Sequence, residues 1–276
     1  MVFMKQYGEH RTGTNYLRIL LMTNYSNVVP LMHVLGDKHS PPVALDELWQ
    51  KLRGEPDAAW KLVSSTAFAA PAQTTDPEDP RQVAHMRALA EPIAAAVASE
   101  SLVFILSMKH PFPWAASVAK YHGWIVPAKA GLRMHPRFNG HLITACRRCT
   151  DRHRLWLDHI LRYRSRSAIV RHEDLLADAF SVLRALARRF ELKQAGPQLK
   201  ALPLPVVPPY WDQEPPRFRG LAFDPEFYGK QDYVSRLSAD QWEIVKSEID
   251  WNILSRLGYS SDGSTSVDCA TRESFG

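Results

Sequence analysis

Residues Gly8 to Gly13 read GEHRTG, after a short apolar segment and before a helical pattern. The spacing is G-x-x-x-x-G, the opening of a loop whose backbone N–H groups converge on a phosphate, with a helix N-terminus behind them. Gly8 and Gly13 permit close backbone approach. Arg11 adds a fixed cation whose planar fork can hold two phosphate oxygens. A kinase or ATPase would continue with Lys and then Ser or Thr, to hold the nucleotide and its magnesium. Here Thr14 and Asn15 follow. The loop suits a phosphorylated ligand whose chemistry does not depend on magnesium. By itself the motif also fits a plain strand–turn–helix.

A second constellation lies in LVFILSMKHPFPWAAS. Lys109 closes a strand-like run, and Ser117 stands eight residues later in the next helical pattern. Open α/β sheets bind ligands at the carboxyl ends of adjacent strands, where such a pair would sit. Taken alone, the pair reads as a solvated charge and an ordinary helix residue.

The surrounding elements must bring these groups together. Residues 1–7 read as a buried strand. Thr14–Tyr25 reads as a helix with Tyr16, Leu17, Leu20 and Leu21 on one face. VVPLMHVLGDKHSPP holds a short second strand ending near His39. LDELWQKLRG reads as a helix, WKLVSS as a strand, TTDPEDP as a turn, and about 80–99 as a helix. LVFILS at 102–107 is a continuous apolar run, suited to the centre of a parallel sheet. Helices follow over Trp114–Tyr121 and His141–Tyr163. AIVRHEDLL is a strand running into a helix that ends near Glu191. PQLKALPLPVVPPYWDQEPPRFRG is too rich in proline for helix or central strand and reads as an extended wrap. Ser238 and Gln241 form a capping box, with Trp242, Val245 and Ile249 as the apolar face of a helix that Gly258 and Tyr259 stop. Strands alternating with helices predict a single α/β domain, a central parallel sheet flanked by helices, over residues 1–259. The polar residues 260–276 form a tail expected to be disordered.

The two anion motifs together resemble the PAPS-dependent sulfotransferase family. Arg11-Thr12-Gly13-Thr14 resembles its loop for the 5′-phosphosulfate. GEHRTGTNYL resembles the Gly-Glu-Arg-x-x-Gly-Thr-Asn-Tyr-Leu variant of some bacterial members. Lys109, Pro111 and Ser117 match the spacing of its 3′-phosphate motif, with Lys where the family has Arg, a point charge in place of a fork. AIVRHEDLL and RLSADQW…LGY resemble later family segments, so the likeness runs from about residue 3 to residue 259.

The resemblance implies a P-loop-type sulfotransferase architecture that moves a sulfuryl group from PAPS to an acceptor hydroxyl. PAP is the product and no metal is required. Cofactor-binding residues would be Gly8, Arg11, Thr12, Gly13, Thr14, Asn15, Tyr16, Lys109 and Ser117. A late basic residue, Arg217 or Arg219, would reach the 3′-phosphate. Arg11 would also stabilise charge on the leaving phosphate oxygen. The acceptor needs a general base. His39 is the first choice among eleven histidines. Lys38 would contact the sulfuryl group or favour the neutral, proton-accepting imidazole. Asp37, His33, Glu9 and His10 are the other candidates, the last two pointing at the cofactor from the loop. A carbohydrate or small-molecule alcohol is the preferred acceptor, with pockets built from residues 40–58, 122–140 and the proline wrap. Trp124, Tyr210 and Trp211 are candidates for stacking.

The remaining features bound this reading. Hydrophobic residues are 45% of the 276, enough for a sizeable core, and the net charge of +5 favours an anionic partner. Three cysteines make no disulfide framework, which points to a reducing, cytoplasmic setting. No signal peptide and no apolar run of about 20 residues is expected. Cys146, Cys149 and His153 share a helix face and read as packing rather than a zinc site. The arginines of RRCTDRHRLW read as a solvated face or a polyanion surface. Arg171 and Glu173 read as a structural ion pair. A P-loop kinase or NTPase is the alternative function, and a non-catalytic polyanion binder ranks behind it.

Overall fold

The computed structural model describes residues 1–31, 38–42, 92, 95–96, 101–128, 131–201 and 236–262. The expected elements between 43 and 91, most of the helix at 80–99, most of the proline wrap, Arg219 and the tail beyond 262 lie outside the described residues.

Four parallel strands make the central sheet, in the order β2 (Val28–Pro30), β1 (Val2–Gly8), β3 (Val103–Met108), β6 (Ser167–Arg171). The protein is therefore α/β with an all-parallel sheet, as its alternating pattern predicts. All six residues of β3 are buried, as a central strand covered on both faces requires. Its side chains alternate between two cores. Val103 and Ile105 join Met4, Val170 and the apolar stripes of helices α1 (Thr14–Asn24) and α4 (His172–Phe190). Phe104, Leu106 and Met108 join α2 (Pro111–Tyr121), α3 (Phe138–Arg162), α5 (Ala239–Glu248) and α6 (Trp251–Ser255) on the other face. Trp114 and Trp156 are almost wholly enclosed there. Burying an apolar side chain of this kind stabilises by roughly 1.5–3 kcal/mol.

Several boundaries differ from expectation for local reasons. Strand β2 stops at Pro30, and Lys38 and His39 sit in a turn rather than at a strand end. Helix α2 starts at Pro111, not Trp114, because His110 is its N-cap: Nδ1 accepts from the Phe112 N–H at 3.2 Å and proline occupies the first turn. Helix α4 breaks at Asp178 (φ −157°), whose carboxylate accepts from the Ser181 N–H and hydroxyl at 3.0 and 2.6 Å and restarts the helix. The last helix is two helices. Asp250 accepts from the N–H groups of Asn252 and Ile253, so α5 ends at Glu248 well before Gly258. Residues 125–134 form an antiparallel hairpin, β4 (Ile125–Ala128) and β5 (Gly131–Met134), where a loop was expected. Among the described residues no helix is long and apolar enough to cross a membrane.

Helix α3 spans 25 residues and buries Leu142, Cys146, Cys149, His153, Trp156 and Ile160 along one stripe. Cys149 Sγ lies 3.3 Å from His153 Nδ1, and burial pushes both thiols up, Cys146 to about 12. Among the described residues no group of three or more His, Cys, Asp or Glu could hold a metal ion.

The Ser238 cap takes both of its predicted bonds, from the Gln241 N–H at 3.4 Å and, in return, from its own N–H to the Gln241 amide oxygen at 2.9 Å. Ser238→Ala should lower the unfolding free energy by about 1 kcal/mol, read as a shift of the urea midpoint at constant slope. Burial also holds His110, His153 and His159 neutral, each pulled from 6.5 to about 4. A folded-state value below the unfolded one makes protonation favour unfolding. Stability should therefore be full above pH 6.5 and fall as the pH drops from 6.5 towards 4. Urea midpoints measured across that window should decline, and less steeply in His153→Gln. A flat profile would contradict the buried, neutral placement.

Candidate anion-binding site

Strands β1 and β3 end together, with Gly8 paired to Ser107. The loop after β1 and the start of α2 after β3 therefore leave the sheet at one edge. A Cβ at Gly8 would lie 2.6 Å from the Ser107 carbonyl oxygen and 2.8 Å from Thr12 Oγ1, so only glycine allows this approach. Thr12 folds the loop back, its hydroxyl donating to the Glu9 carbonyl at 2.7 Å. Arg11 takes a left-handed backbone (φ 71°), and so does Gly13 (φ 79°), the N-cap of α1. Among the described residues no side chain caps α1, and its first turn carries no acid. The N–H groups there point into the loop with the positive end of the helix dipole behind them.

The two motifs meet. Arg11 Nε–H donates to Ser117 Oγ at 3.3 Å across the edge of the sheet. The guanidinium also rests 5.6 Å from the centre of the ring of Tyr121, the last residue of α2. Lys109 is buried directly after β3, close enough to His172 and Glu173 to bias both of their charges.

The turn at 38–40 closes the third side. The Gly8 N–H donates to the Lys38 carbonyl at 3.0 Å, and Lys38 Nζ donates to Asn15 Oδ1. His39 Nδ1 lies 2.6 Å from the Gly8 carbonyl oxygen. A carbonyl only accepts, so Nδ1 carries the proton and, in the neutral ring, Nε2 keeps its lone pair. His10 lies against this imidazole, with ring centres 3.8 Å apart, and its carbonyl accepts from the Trp114 indole at 3.1 Å.

Other predicted residues have different surroundings. Glu9 is 1% exposed and pairs with Arg152 of α3 at 2.7 Å, so it is a buried anchor of the loop and does not point outward at a ligand. The same bond takes Arg152 out of the solvated arginine face. Tyr16 is half-buried against the α1–α4 core, and burial raises its hydroxyl. Arg171 pairs with Asp174, not Glu173, through two bonds of 2.9 and 2.8 Å. Glu173 instead accepts from the His110 N–H at 2.8 Å and the Tyr259 hydroxyl at 2.9 Å, and burial raises its carboxyl. His33 and Asp37 lie outside the described residues.

His172 escaped the sequence reading, although it directly follows a strand ending at this edge. A Cβ on Gly13 would lie 2.7 Å from its Cδ2. Burial, then Lys109, then Arg11 hold its imidazole well below the usual histidine range. A neutral ring thus packs between two cations and adds no third charge. This end of the sheet gathers glycine backbone, a helix N-terminus, Arg11, Lys38 and the buried Lys109, with a hydroxyl from Ser117 and an imidazole acceptor from His39. Donors and charges of this kind are what a phosphate-bearing ligand requires, and the His39 Nε2 lone pair is what a proton acceptor requires.

Gly13→Ala would strain a left-handed backbone and drive a methyl into His172. The expected loss is about 1–2 kcal/mol or more of stability by urea unfolding. An unchanged midpoint would mean that loop and imidazole are not in contact.

No protein-family model matches the chain, and no curated protein or solved structure matches it either.

Proposed function

We propose that the chain is a PAPS-dependent sulfotransferase that moves a sulfuryl group to an acceptor hydroxyl. The contact between Arg11 and Ser117 carries the reading. It joins the residues that the family resemblance assigns to the 5′-phosphosulfate and the 3′-phosphate of one nucleotide, although they are 106 positions apart. The glycine cradle at Gly8 and the uncapped α1 terminus support the fit, because phosphate oxygens can take the place of a missing cap.

In this reading the N–H groups of Gly13, Thr14 and Asn15 hold the phosphosulfate, Gly8 and Thr12 shape the loop around it through their own bonds to Lys38 and Glu9, and Arg11 stabilises the charge that develops on the leaving phosphate oxygen. Lys109 and Ser117 hold the 3′-phosphate. The acceptor oxygen attacks sulfur as the bond from sulfur to the bridging oxygen breaks, and PAP leaves with that electron pair. His39 takes the acceptor's proton at Nε2 while Nδ1 stays tied to Gly8. Lys38, anchored on Asn15, holds the turn in place beside the sulfuryl group. The kinase alternative is weaker on the same residues: the two positions after Gly13 lack its lysine and magnesium hydroxyl, and Asn15 is engaged by Lys38.

Calorimetric titration with adenosine 3′,5′-bisphosphate in EDTA should show micromolar binding. Arg11→Ala and Ser117→Ala should each weaken it by about tenfold or more, the loss of one charged or bridging contact. His39→Ala should bind the bisphosphate normally and lose turnover on any acceptor found. Binding of ATP only with magnesium would replace this reading with the kinase one.

A further inference from the structure

A file of rings leads away from the anion loop along the surface. His10 stacks on Tyr121 with centres 6.0 Å apart, and Tyr121 meets the ring of His122 edge-on at 5.0 Å. His122 then stacks on Trp124 at 5.1 Å, Trp124 on His141 at 5.4 Å, and His141 lies 5.2 Å from His135. The end of α2, the base of the β4–β5 hairpin and the first turn of α3 build this strip. The His135 N–H donates to the Trp124 carbonyl at 2.8 Å and closes the hairpin. Tyr121, His122 and His135 are exposed, and Trp124 and His141 are half-buried. Trp124 packs on the core, but Tyr121, His122 and His135 stay in solvent, where packing contributes little.

The geometry says what would bind there. The interplanar angles along His122, Trp124 and His141 are 18° and 15°, so ring faces are turned to one another and edges are left for a ligand. Aromatic edges carry the positive end of the ring quadrupole. The imidazoles add N–H donors: His135 Nδ1 accepts from the Arg137 N–H at 3.1 Å, which leaves the proton of the neutral ring on exposed Nε2. Burial lowers the His122 imidazole, and the two charges that act on it, Arg148 and His141, are both basic. Arg137 and Arg148 are exposed beside the strip, and Arg11 stands at its inner end against Tyr121. Donors, positive edges and arginines complement an oxygen-rich anion. Nucleobases would need open ring faces to stack on.

We propose that this strip binds an acidic oligosaccharide, a chain of carboxylate-bearing sugars, and leads one of its hydroxyls to His39. The delivery half of the proposal rests on the sulfuryl-transfer reading above; the binding half does not.

The test titrates hexagalacturonate into the full chain without nucleotide, beside neutral maltohexaose and a uridylate hexamer. Hexagalacturonate should bind, more weakly as salt rises, and maltohexaose about tenfold or more less tightly. His122→Ala combined with Arg148→Ala should cost hexagalacturonate affinity about tenfold, and both side chains are exposed enough to leave the fold intact. The same variant should bind adenosine 3′,5′-bisphosphate as the parent does. No binding of hexagalacturonate, equal binding by the variant, or tighter binding of the uridylate would each overturn the proposal. Loss of bisphosphate binding by the parent, with hexagalacturonate binding still sensitive to the variant, would uphold the strip and sink the sulfuryl-transfer reading alone.

Discussion

Parallel pairing of Gly8 with Ser107 sets the chemistry of one edge of this protein. Parallel strands leave a sheet in the same direction, so the segments that follow them must start side by side. The loop after β1 brings Arg11, the segment after β3 brings Lys109 and Ser117, and β6, paired with β3, brings His172. The missing Cβ at Gly8 lets the strands close at this level, because a methyl there would meet the Ser107 carbonyl at 2.6 Å. The Gln6 amide, two residues before Gly8, donates to Ser107 Oγ at 2.7 Å and ties the same two strands. A shift of register by one residue would turn Arg11 and Ser117 away from each other and reverse the faces of both strands.

Cations gathered at one edge repel each other unless nearby acids compensate them, and compensation would cancel their pull on an anion. The described acids nearest this site have partners of their own, and Lys109 acts on Glu173 as well. Glu9 is held by Arg152, Asp174 by Arg171, and Glu173 by a backbone N–H and the Tyr259 hydroxyl. Burial keeps His172 from charging.

The C-terminal helices belong to this scaffold. Tyr259 reaches Glu173 at the start of α4, and the Ser260 carbonyl accepts from His110 Nε2 at 3.1 Å at the start of α2. Two helix N-termini beside the site are thus pinned by the end of the chain's described fold. Arg147 and Arg154 join α3 to Glu248 and Asp250 on the outside of the same unit. The helix that carries Arg152 to the loop is held along much of its length.

What the sequence determined by itself was whatever depends on neighbours along the chain. The glycine-bounded loop, the apolar run of β3, the stripe of α3 and the capping box at Ser238 follow from periodicity and local hydrogen bonding, which a few consecutive residues decide. Arg11 in its loop and Lys109 after β3 were marked by residue type beside a strand end, a local property, whereas Lys38, His39 and Ser117 were marked by the family resemblance. The pairing of 125–128 with 131–134 was not legible: IVPAKAGLRM has a proline and three small residues, two alanines and a glycine, where alternation would be read, and only pairing between its two strands makes it regular. The break of α4 at Asp178 and the restart at Asp250 each hang on one carboxylate choosing a backbone N–H over solvent. Tertiary structure alone decided the partners: Arg152 for Glu9, Asp174 for Arg171, Tyr259 for Glu173, and His172 beneath Gly13. Ion pairs and ring contacts form between groups that the fold brings within a few ångströms, and sequence separation carries no information about that distance.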